Sequence, residues 1–275
     1  MQKFKSIYKL KIKSNEFEGG QRLKKKIISK PFLTIIIVVL NQEKFIERAI
    51  KSILNQNFKK YEIIIIDGRS TDKTLNIIKK YSKDISYWVS QKDKGIYDAF
   101  NKGMLLARGK YIGILNSDDR YTAKGLRIFE KYALKYPEKN FIFGSVKKHW
   151  GILHGYRPEK IKYSWGFYTS HSTGFFLQRS AAKEVGLYNL RYKYHADYDY
   201  FYRMIVKKEL KGIATKKNEV VGIFTRGGFS STIPYRKMFF EDLKIRYDNG
   251  QSIVLLLILA IYKILNYWKK KFMNN

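Results

Sequence analysis

Short apolar runs alternate with single amphipathic helical stretches through the first half of the sequence, and this alternation constrains the fold more than any other feature. The runs at 33–40 and 61–66 are rich in Ile, Val and Leu, as in strands buried on both faces. A helical pattern follows each run, and further strands are predicted at 85–89 and 111–115, around a helix at 96–107. The alternation predicts an α/β fold in which a Rossmann-like, mostly parallel sheet is flanked by helices.

Polar residues occupy the carboxyl ends of the predicted strands. Asn41, Asp67, Asp93 and Asp118 lie at or just beyond four of these ends. In open α/β sheets, ligands bind in the crevice beyond the carboxyl ends of the strands. Asp67 taken alone either accepts hydrogen bonds from a base or ribose or forms an ordinary strand-end turn. The four positions together predict a ligand site at this edge of the sheet.

Two acidic pairs carry the candidate chemistry. Asp118 and Asp119 end a buried strand, where carboxylates suit Mg²⁺ or Mn²⁺ carrying a diphosphate, although Ser-Asp-Asp is also a common turn before a helix. Asp197 and Asp199 lie at the start of a predicted helix. Each is either a favourable charge at a helix N-terminus or a general base, and their position alone leaves both interpretations open.

Several classes of site are excluded or disfavoured by the sequence. The chain has no cysteine, which excludes a disulfide framework, a thiolate zinc site and a cysteine nucleophile. No Gly-x-Gly-x-x-Gly follows the first strand, which disfavours a dinucleotide cofactor. A Ser-centred Gly-x-Ser-x-Gly elbow is also missing.

The formal net charge of +32 indicates a polyanionic partner, either nucleic acid or an anionic membrane surface, unless it reflects an AT-rich genome. Residues 1–30 and 236–275 are the most basic parts, and the N-terminus has no apolar stretch resembling a secretory signal. The apolar run at 253–268 spans about 16 residues, short of the ~20 needed to cross a bilayer. It is predicted to be either a helix on a membrane surface or a terminal helix docked on the core.

Three segments, taken in order, resemble glycosyltransferase family 2. They are TIIIVVLNQEKFIERAIKSILNQNFKKYEIIIIDGRSTDKT from residue 34, DKGIYDAFNKGMLLARGKYIGILNSDD at 93–119, and ADYDYFYR at 196–203. The second segment is similar to a subgroup associated with bacterial O-antigen and polysaccharide assembly. The resemblance implies the GT-A fold and inverting transfer from a nucleotide-sugar. UDP-sugar is the expected donor, and guanine- or thymine-linked sugars are the alternatives.

The resemblance also implies roles for individual residues. The residues expected to contact the nucleotide-sugar are Leu40, Asn41, Asp67, Asp93, Lys94, Asn101 and Asn116. Asp118 is the implied ligand of Mg²⁺ or Mn²⁺, with Asp119 assisting. Asp197 is the implied catalytic base, and Asp199 is the second candidate. His171 is a further candidate that contacts diphosphate or acceptor, unless it is a packed structural residue.

Three positions depart from the usual pattern of the family. Asn116 replaces the first Asp of the Asp-x-Asp metal motif, Gly68 replaces the second residue of an Asp-Asp pair, and Ala196 replaces the Glu of Glu-Asp. The Gln-x-x-Arg-Trp motif of processive synthases is missing, so non-processive transfer is expected.

These observations divide the chain into three parts. They are a basic N-terminal extension at 1–30, a GT-A domain at 31–235 with a nucleotide-sugar half (31–120) and an acceptor half (121–235), and a basic, apolar, membrane-associating helical segment at 236–275. The resemblance implies a lipid-linked glycan acceptor in surface polysaccharide biosynthesis, on the inner, cytoplasmic face of the cell membrane. The rival interpretations are a nucleic-acid-binding protein, which the acidic site and the lack of a recognition motif disfavour, and an inactive membrane-bound scaffold. No nucleic-acid partner is therefore expected.

Overall fold

The computed structural model describes residues 4, 7–24, 30–163, 171–225 and 234–273 of the 275-residue chain, with the side chains of the last helix described as far as residue 265. The strands are β1 (Phe17–Gly19), β2 (Leu33–Val39), β3 (Tyr61–Asp67), β4 (Tyr87–Ser90), β5 (Tyr111–Asn116), β6 (Arg120–Tyr121), β7 (Phe141–Phe143), β8 (Ser145–Lys148), β9 (Gly151–Leu153), β10 (Phe175–Gln178), β11 (Gly212–Ala214) and β12 (Val220–Ile223). The helices are α1 (Gln21–Lys24), α2 (Ile46–Leu54), α3 (Thr74–Lys80), α4 (Ile96–Leu106), α5 (Gly125–Lys135), α6 (Arg179–Val185), α7 (Ala196–Tyr202), α8 (Tyr235–Asp248) and α9 (Ile253–Met273). Single 3₁₀ turns cover Pro158–Lys162 and Ser172–Gly174, and a π-helical turn continues α7 over Arg203–Lys207.

Within these ranges, an eight-stranded sheet has the order β1-β4-β3-β2-β5-β10-β7-β11. The strands β4, β3, β2 and β5 are parallel, which confirms the predicted α/β fold with a mostly parallel sheet. β10 runs antiparallel to both of its neighbours, β5 and β7. A second sheet of four strands has the order β6-β12-β8-β9.

The apolar character of β2 follows from its position between two layers of helices. Ile36 belongs to a core that includes Phe100 of α4, whereas its neighbour Ile37 belongs to a core that includes Ile50 of α2. Successive side chains of a strand point to opposite faces, so a strand covered on both sides is apolar at nearly every position. Gly103 allows α4 to approach the sheet closely, because a Cβ there would lie 2.3 Å from Cγ2 of Ile36.

The register of the parallel strands brings their polar ends to one edge. Val39 of β2 lies opposite Asp67 of β3, and Val38 lies opposite Asn116 of β5. Asn41 follows β2 at the same level. The carboxyl edge of the sheet is thus the polar edge that the sequence predicts.

The N-terminal segment takes part in the sheet, a feature that the sequence analysis did not predict. β1 pairs antiparallel with β4 at the sheet edge. The buried guanidinium of Arg22 lies 2.6 Å from Glu62, which also accepts a hydrogen bond from the hydroxyl of Thr34 (2.6 Å). Such a buried pair is anchored by additional hydrogen bonds, so this segment packs as part of the folded domain. Residues 1–3, 5, 6 and 25–29 of the predicted extension lie outside the described residues.

The C-terminal segment forms two helices. α8 packs on α7, and α9 packs on α8 with Leu256 and Leu259 buried. Other apolar side chains of α9 are 46–66% exposed, and they are Ile253, Val254, Leu257, Ile258, Ile261, Tyr262, Ile264 and Leu265. In the described part of the chain, no helix combines the length and hydropathy needed to cross a membrane. The side chain of Trp268, at the end of the predicted apolar run, lies outside the described residues.

Candidate active site

Asn41 joins two of the loops at the carboxyl edge. Its backbone is in the left-handed region (φ 51°), where Asn is tolerated better than most residues. Its amide donates to the hydroxyl of Ser70 (2.8 Å), and its side-chain oxygen accepts from the amide of Thr71 (2.8 Å). Leu40, immediately before it, leaves 56% of its surface exposed at this edge. The loop after β2 is therefore fixed to the loop after β3.

Asp67 orders the second of these loops. Its carboxylate is buried and accepts hydrogen bonds from the hydroxyls of Ser70 and Ser90, both at 2.5 Å, and from the amide of Ser70 at 3.2 Å. Both oxygens thus accept hydrogen bonds from within the protein. The contact of Asp67 with ribose or base stays a prediction.

Asp93 faces the position at which the family usually carries a second Asp. A Cβ on Gly68 would lie 3.1 Å from Oδ2 of Asp93 and 3.4 Å from a methyl group of Leu40. Burial raises the pKa of Asp93, although the ammonium of Lys102, which pairs with its carboxylate, acts in the opposite direction. Leu40, Gly68 and Asp93 therefore form one wall at the edge of the sheet.

Two other residues predicted to contact the donor, Lys94 and Asn101, form hydrogen bonds within the protein. The exposed Lys94 donates its backbone amide to Asp98 (3.0 Å) at the start of α4. Asn101 is buried and exchanges two hydrogen bonds with the backbone of Tyr188, at 2.9 and 2.8 Å. These two hydrogen bonds hold the backbone at Tyr188 against α4, and the donor contact of Asn101 stays a prediction.

The predicted metal motif at the end of β5 contains one partly exposed carboxylate, that of Asp118, and one fully buried carboxylate, that of Asp119. We call the carboxylate of Asp118 open because no side chain of another described residue donates a hydrogen bond to it. Asp118 receives no hydrogen bond from the side chain of any other described residue, and burial, reinforced by Asp119, raises its pKa to about 6. Asp119 is fully buried and accepts hydrogen bonds from the hydroxyl of Thr173 (2.6 Å) and the amide of Thr225 (2.9 Å). Asp119 therefore braces the loops around the site, and its role as an assisting metal ligand stays a prediction.

His171 and Asn116 complete this side of the site. Nδ1 of His171 lies 3.3 Å from Asp119, and the charge of His171 lowers the pKa of both Asp118 and Asp197. Asn116 donates to the hydroxyl of Ser172 (3.1 Å), while its own carbonyl oxygen is buried without a hydrogen-bond partner in the described ranges. A buried polar atom of this kind costs free energy unless a ligand satisfies it.

The residues present fit a divalent cation that arrives with its phosphate ligands. The described residues contain no group of three or more His, Cys, Asp or Glu side chains arranged to hold a metal. Asp118 and the unsatisfied oxygen of Asn116 offer two hard oxygen ligands. Mg²⁺ is commonly bound by one or two carboxylates together with substrate phosphates, so this incomplete set is the expected one.

The two acidic residues of α7 have different environments. Asp197 is half-buried, and its Oδ1 accepts hydrogen bonds from the hydroxyl of Tyr97 (3.1 Å) and the amide of Tyr198 (2.9 Å). Burial raises the pKa of Asp197, against the opposing charge of His195. Asp199 instead lies 2.8 Å from Nε of Arg203 and accepts from Asn249 (3.0 Å). These partners give Asp199 a structural role, and its assignment as the alternative base stays a prediction.

Sequence reasoning missed residues that hold the site without carrying a recognisable motif. Arg48 of α2 donates to the carbonyl of Asp118 (2.8 Å) and to the hydroxyl of Thr225 (3.0 Å). Tyr97 lies inside the segment at 93–119, and its spacing from Asp93 gives no sign that it reaches α7. A contact between residues one hundred positions apart has no local signal in the sequence.

A cavity of about 670 Å³ lies at the opposite, amino end of the sheet, lined by residues that include Lys60, Tyr61 and Lys110. It contains none of the carboxylates described above. The chemistry of the side chains therefore favours the carboxyl edge, and not this cavity, as the candidate active site.

Comparisons with known proteins agree with this geometry. A family model described as Glycosyl transferase family 2 matches residues 34–225, more than half of the 275-residue chain. The PGL/p-HBAD biosynthesis glycosyltransferase of Mycobacterium bovis is 27% identical over 246 residues, which cover 86% of this chain and 93% of the relative. A dolichyl N-acetyl-alpha-D-glucosaminyl phosphate 3-beta-D-2,3-diacetamido-2,3-dideoxy-beta-D-glucuronosyltransferase of Methanococcus voltae is 34% identical over 125 residues, covering 43% of this chain and 34% of the relative.

Solved structures share the fold at low sequence identity. S. aureus TarS 1-349 in complex with UDP matches with a TM-score of 0.60 and 15% identity, over 82% of this chain and 70% of that chain. In two other TarS structures the chain spans 64% and 38% of the solved protein. The mannosyltransferase PcManGT of Pyrobaculum calidifontis, in complex with GDP-Man and Mn²⁺, matches with a TM-score of 0.59 and 14% identity, over 86% of this chain and 70% of that chain. The chain therefore belongs to glycosyltransferase family 2, is a glycosyltransferase and has the GT-A fold.

Proposed function

We propose that the protein is an inverting, non-processive transferase that moves a sugar from a UDP-sugar to a hydroxyl group of a lipid-linked glycan acceptor in surface polysaccharide biosynthesis. One observation carries the proposal. Two partly exposed carboxylates in this part of the chain have different surroundings: Asp118 receives no hydrogen bond from the side chain of any other described residue, whereas Asp197 accepts one from the hydroxyl of Tyr97 (3.1 Å). The site thus offers one carboxylate for the donor's diphosphate and its cation, and a second, held in place by Tyr97, for proton transfer.

The nucleoside of the donor is proposed to bind at the wall formed by Leu40, Gly68 and Asp93. Leu40 offers an exposed apolar surface for the base, and the Asp93 carboxylate offers an acceptor for its N–H groups. The matched TarS structure contains UDP, which supports a uridine donor, and the matched mannosyltransferase contains GDP-Man, which makes a GDP-sugar the alternative.

The diphosphate is proposed to lie at Asp118 and Asn116, which would hold Mg²⁺ or Mn²⁺. When bound, the ion supplies positive charge that neutralises the negative charge developing on the leaving diphosphate. Mn²⁺ in the matched mannosyltransferase structure supports a divalent cation here. Arg48 holds the backbone of this loop, so the open carboxylate of Asp118 keeps its direction toward the edge.

Asp197 is proposed to be the general base. Its burial destabilises the ionised carboxylate and makes it a better proton acceptor. It takes the proton of the acceptor hydroxyl as that oxygen forms a bond to the anomeric carbon. The bond from this carbon to the diphosphate breaks on the opposite face, and its electron pair leaves with the diphosphate, so the configuration inverts.

The acceptor is proposed to reach the site from an anionic membrane surface, on the inner face of the cell membrane. The exposed apolar side chains of α9 form a surface for the headgroup region, and the sequence continues with Lys269, Lys270 and Lys271. Each basic residue near an anionic surface contributes about 1 kcal/mol. The relative from Methanococcus voltae is named for a dolichyl phosphate substrate, which supports a lipid-linked acceptor.

Calorimetry of nucleotide binding tests the donor site directly. UDP, GDP and dTDP are titrated into the wild-type protein and into Asp118→Ala, each with and without Mn²⁺. We expect UDP binding that depends on Mn²⁺ and is lost in Asp118→Ala. Preferred binding of GDP or dTDP would change the donor and keep the reaction, whereas no nucleotide binding by folded protein would contradict the proposal.

A further inference from the structure

Helix α8 lies beyond the part of the chain that the family model matches, which ends at residue 225, yet it contacts α7 closely. Its side chains reach the segment that precedes α7 as well as α7 itself. Asp248 accepts a hydrogen bond from the hydroxyl of Tyr192 (2.7 Å), and Asn249, just after α8, donates to Asp199 (3.0 Å). The helix that carries Asp197 is therefore held by an element outside the family's common core.

Glu241 makes the most informative of these contacts. Its carboxylate accepts hydrogen bonds from three consecutive backbone amides, those of Lys193 (2.7 Å), Tyr194 (2.6 Å) and His195 (2.7 Å). Consecutive amides of this kind form a concave site for an anion. One carboxylate thus holds three consecutive residues immediately before α7.

These amides lie at a helix end that lacks a cap of its own. α7 begins at Ala196, and the preceding His195 makes no capping hydrogen bond through its side chain. A negative charge is favourable beside a helix N-terminus. Glu241 supplies that charge from another helix, and it accepts from the amides of the three residues that precede α7, two to four positions before Asp197.

The same turn is held from the opposite direction by α4. The hydroxyl of Tyr97 lies 3.1 Å from Oδ1 of Asp197 and 3.0 Å from the carbonyl oxygen of Tyr194. Residues 194–197 are therefore fixed between Tyr97, which contacts the carboxylate, and Glu241, which contacts the backbone. Loss of either contact leaves the turn attached on one side only.

We propose that Glu241 is a positioning residue for the transfer reaction, which acts by holding the chain immediately before α7 and thereby fixing the carboxylate of Asp197 against the acceptor hydroxyl. The proposal rests on the proposed function, in which Asp197 is the base. A displacement of about 1 Å in a reacting group costs roughly 10²-fold in rate. Glu241 therefore controls turnover without touching donor or acceptor.

The variants are Glu241→Gln and Glu241→Ala, with Asp248→Asn as the matched control. Asp248 lies on the same helix and loses the same charge, but it bonds to Tyr192 and not to the amides before α7. The assay measures hydrolysis of a nucleotide-sugar, in which water replaces the acceptor and also gives its proton to the base. The substrate is whichever of UDP-glucose, UDP-N-acetylglucosamine and GDP-mannose the wild type hydrolyses fastest. UDP affinity by calorimetry and Tm by differential scanning fluorimetry are measured for every variant.

We expect Glu241→Gln to lower kcat about tenfold and Glu241→Ala about 10²-fold, with KM for the donor and UDP affinity within twofold of wild type. Asp248→Asn is expected to keep kcat. The pH profile adds a second readout, in which the groups near Asp197 are His171, His195, Tyr97 and Glu241. Losing the Glu241 charge, and opening the turn to water, both favour ionised Asp197, so the acidic limb of kcat moves to lower pH.

A double-mutant cycle separates this inference from the proposed function. If Glu241 acts through Asp197, Asp197→Asn combined with Glu241→Ala is no slower than Asp197→Asn alone. Activity in Asp197→Asn equal to wild type would overturn the base assignment, and the positioning role with it. A second outcome would overturn the positioning role alone. In that outcome Asp197→Asn is inactive, whereas Glu241→Ala has the same kcat and pH profile as the Asp248→Asn control, even if its Tm is lower.

Discussion

Tyr97 of α4 donates a hydrogen bond to Asp197 of α7 across 3.1 Å, and its ring stacks on that of Tyr188 with the centroids 5.6 Å apart. α4 begins just after Asp93, in the nucleotide-sugar half, whereas α7 belongs to the acceptor half. The helix that follows the donor wall thus also determines where the candidate base lies.

Replacement of Tyr97 by Phe tests this relationship through pH. The hydroxyl stabilises the ionised form of Asp197, and a hydrogen bond to a charged group contributes about 1.5–3 kcal/mol. Its loss raises the pKa of Asp197 further, so the base is protonated at higher pH. We expect the acidic limb of kcat to move to higher pH, with Tyr61→Phe, whose hydroxyl bonds to the Ile53 carbonyl, as the control. Superimposable profiles would contradict the role of Tyr97.

Substitution of the two carboxylates of α7 is expected to have different effects, on turnover for Asp197 and on stability for Asp199. Asp197→Asn is expected to lower turnover by about 10²–10⁴-fold while UDP affinity and Tm stay close to wild type, because the residue acts as the base. Steady-state kinetics and calorimetry on the same preparation check this. Turnover within threefold of wild type would exclude Asp197 as the base.

Asp199→Asn is expected to affect the stability of the fold. The buried carboxylate pairs with Arg203, and removing one partner of a buried ion pair costs about 3–5 kcal/mol. The free energy of unfolding from urea denaturation should fall by that amount, while kcat per folded molecule stays within threefold of wild type. Loss of turnover at unchanged stability would support Asp199 as the alternative base.

Lys263 of α9 predicts a rise in stability at alkaline pH. Burial lowers the pKa of Lys263 to about 8, and its ammonium lies 5.3 Å from the centre of the Tyr235 ring in α8. Between about pH 8 and the unfolded value of about 10.4, the unfolded chain binds more protons than the folded one, so stability rises with pH. The side chain is only partly buried, and solvent screening limits the gain to about 1 kcal/mol.

Lys263→Met is the matching substitution. It should raise the free energy of unfolding at pH 7 by about 1 kcal/mol and abolish the additional rise between pH 8 and 10. Urea denaturation of both proteins at pH 7, 8, 9 and 10 measures this difference. A wild-type curve that falls with pH relative to the variant would show the opposite linkage.

The exposed face of α9 predicts binding to lipid. Leu257 and Ile261 are each 58% exposed, and burying a large apolar side chain contributes about 1.5–3 kcal/mol. Replacing both with Glu should weaken binding to phosphatidylglycerol vesicles at least 100-fold in a sedimentation assay. The control replaces Leu134 and Leu190, exposed on other elements, with Glu, so the net charge changes equally. Equal loss in both variants would show that charge alone binds the vesicles.

The central strands and the polar edge could be predicted because they depend on local patterns. An unbroken run such as that of β2 indicates burial on two faces wherever the strand lies in the sheet. β1 and β10 were not predicted, because they interrupt the strand–helix alternation and pair antiparallel with segments far away in the chain. The register that joins Phe176 to Gly113 is set by packing alone.

The candidate site shows the same division between local and distant information. Asn41, Asp93, Asp118 and His171 lie at the predicted edge, because strand ends determine that position. Whether a polar side chain faces a ligand or its own protein is decided by distant partners. Ser90, for example, donates a hydrogen bond to the carboxylate of Asp67. The side chains of Asn101 and Asp199 likewise form hydrogen bonds with residues distant in the sequence.

β10 pairs with β5 on one side and with β7 on the other, so a single hydrogen-bonded sheet runs through both halves of the enzyme. A rotation of one half against the other about a hinge would break this ladder of main-chain hydrogen bonds. The spacing between the two sides of the candidate site is therefore set by the sheet itself. We expect a new acceptor preference to evolve through the side chains and connections that border the candidate site, while this spacing stays constant.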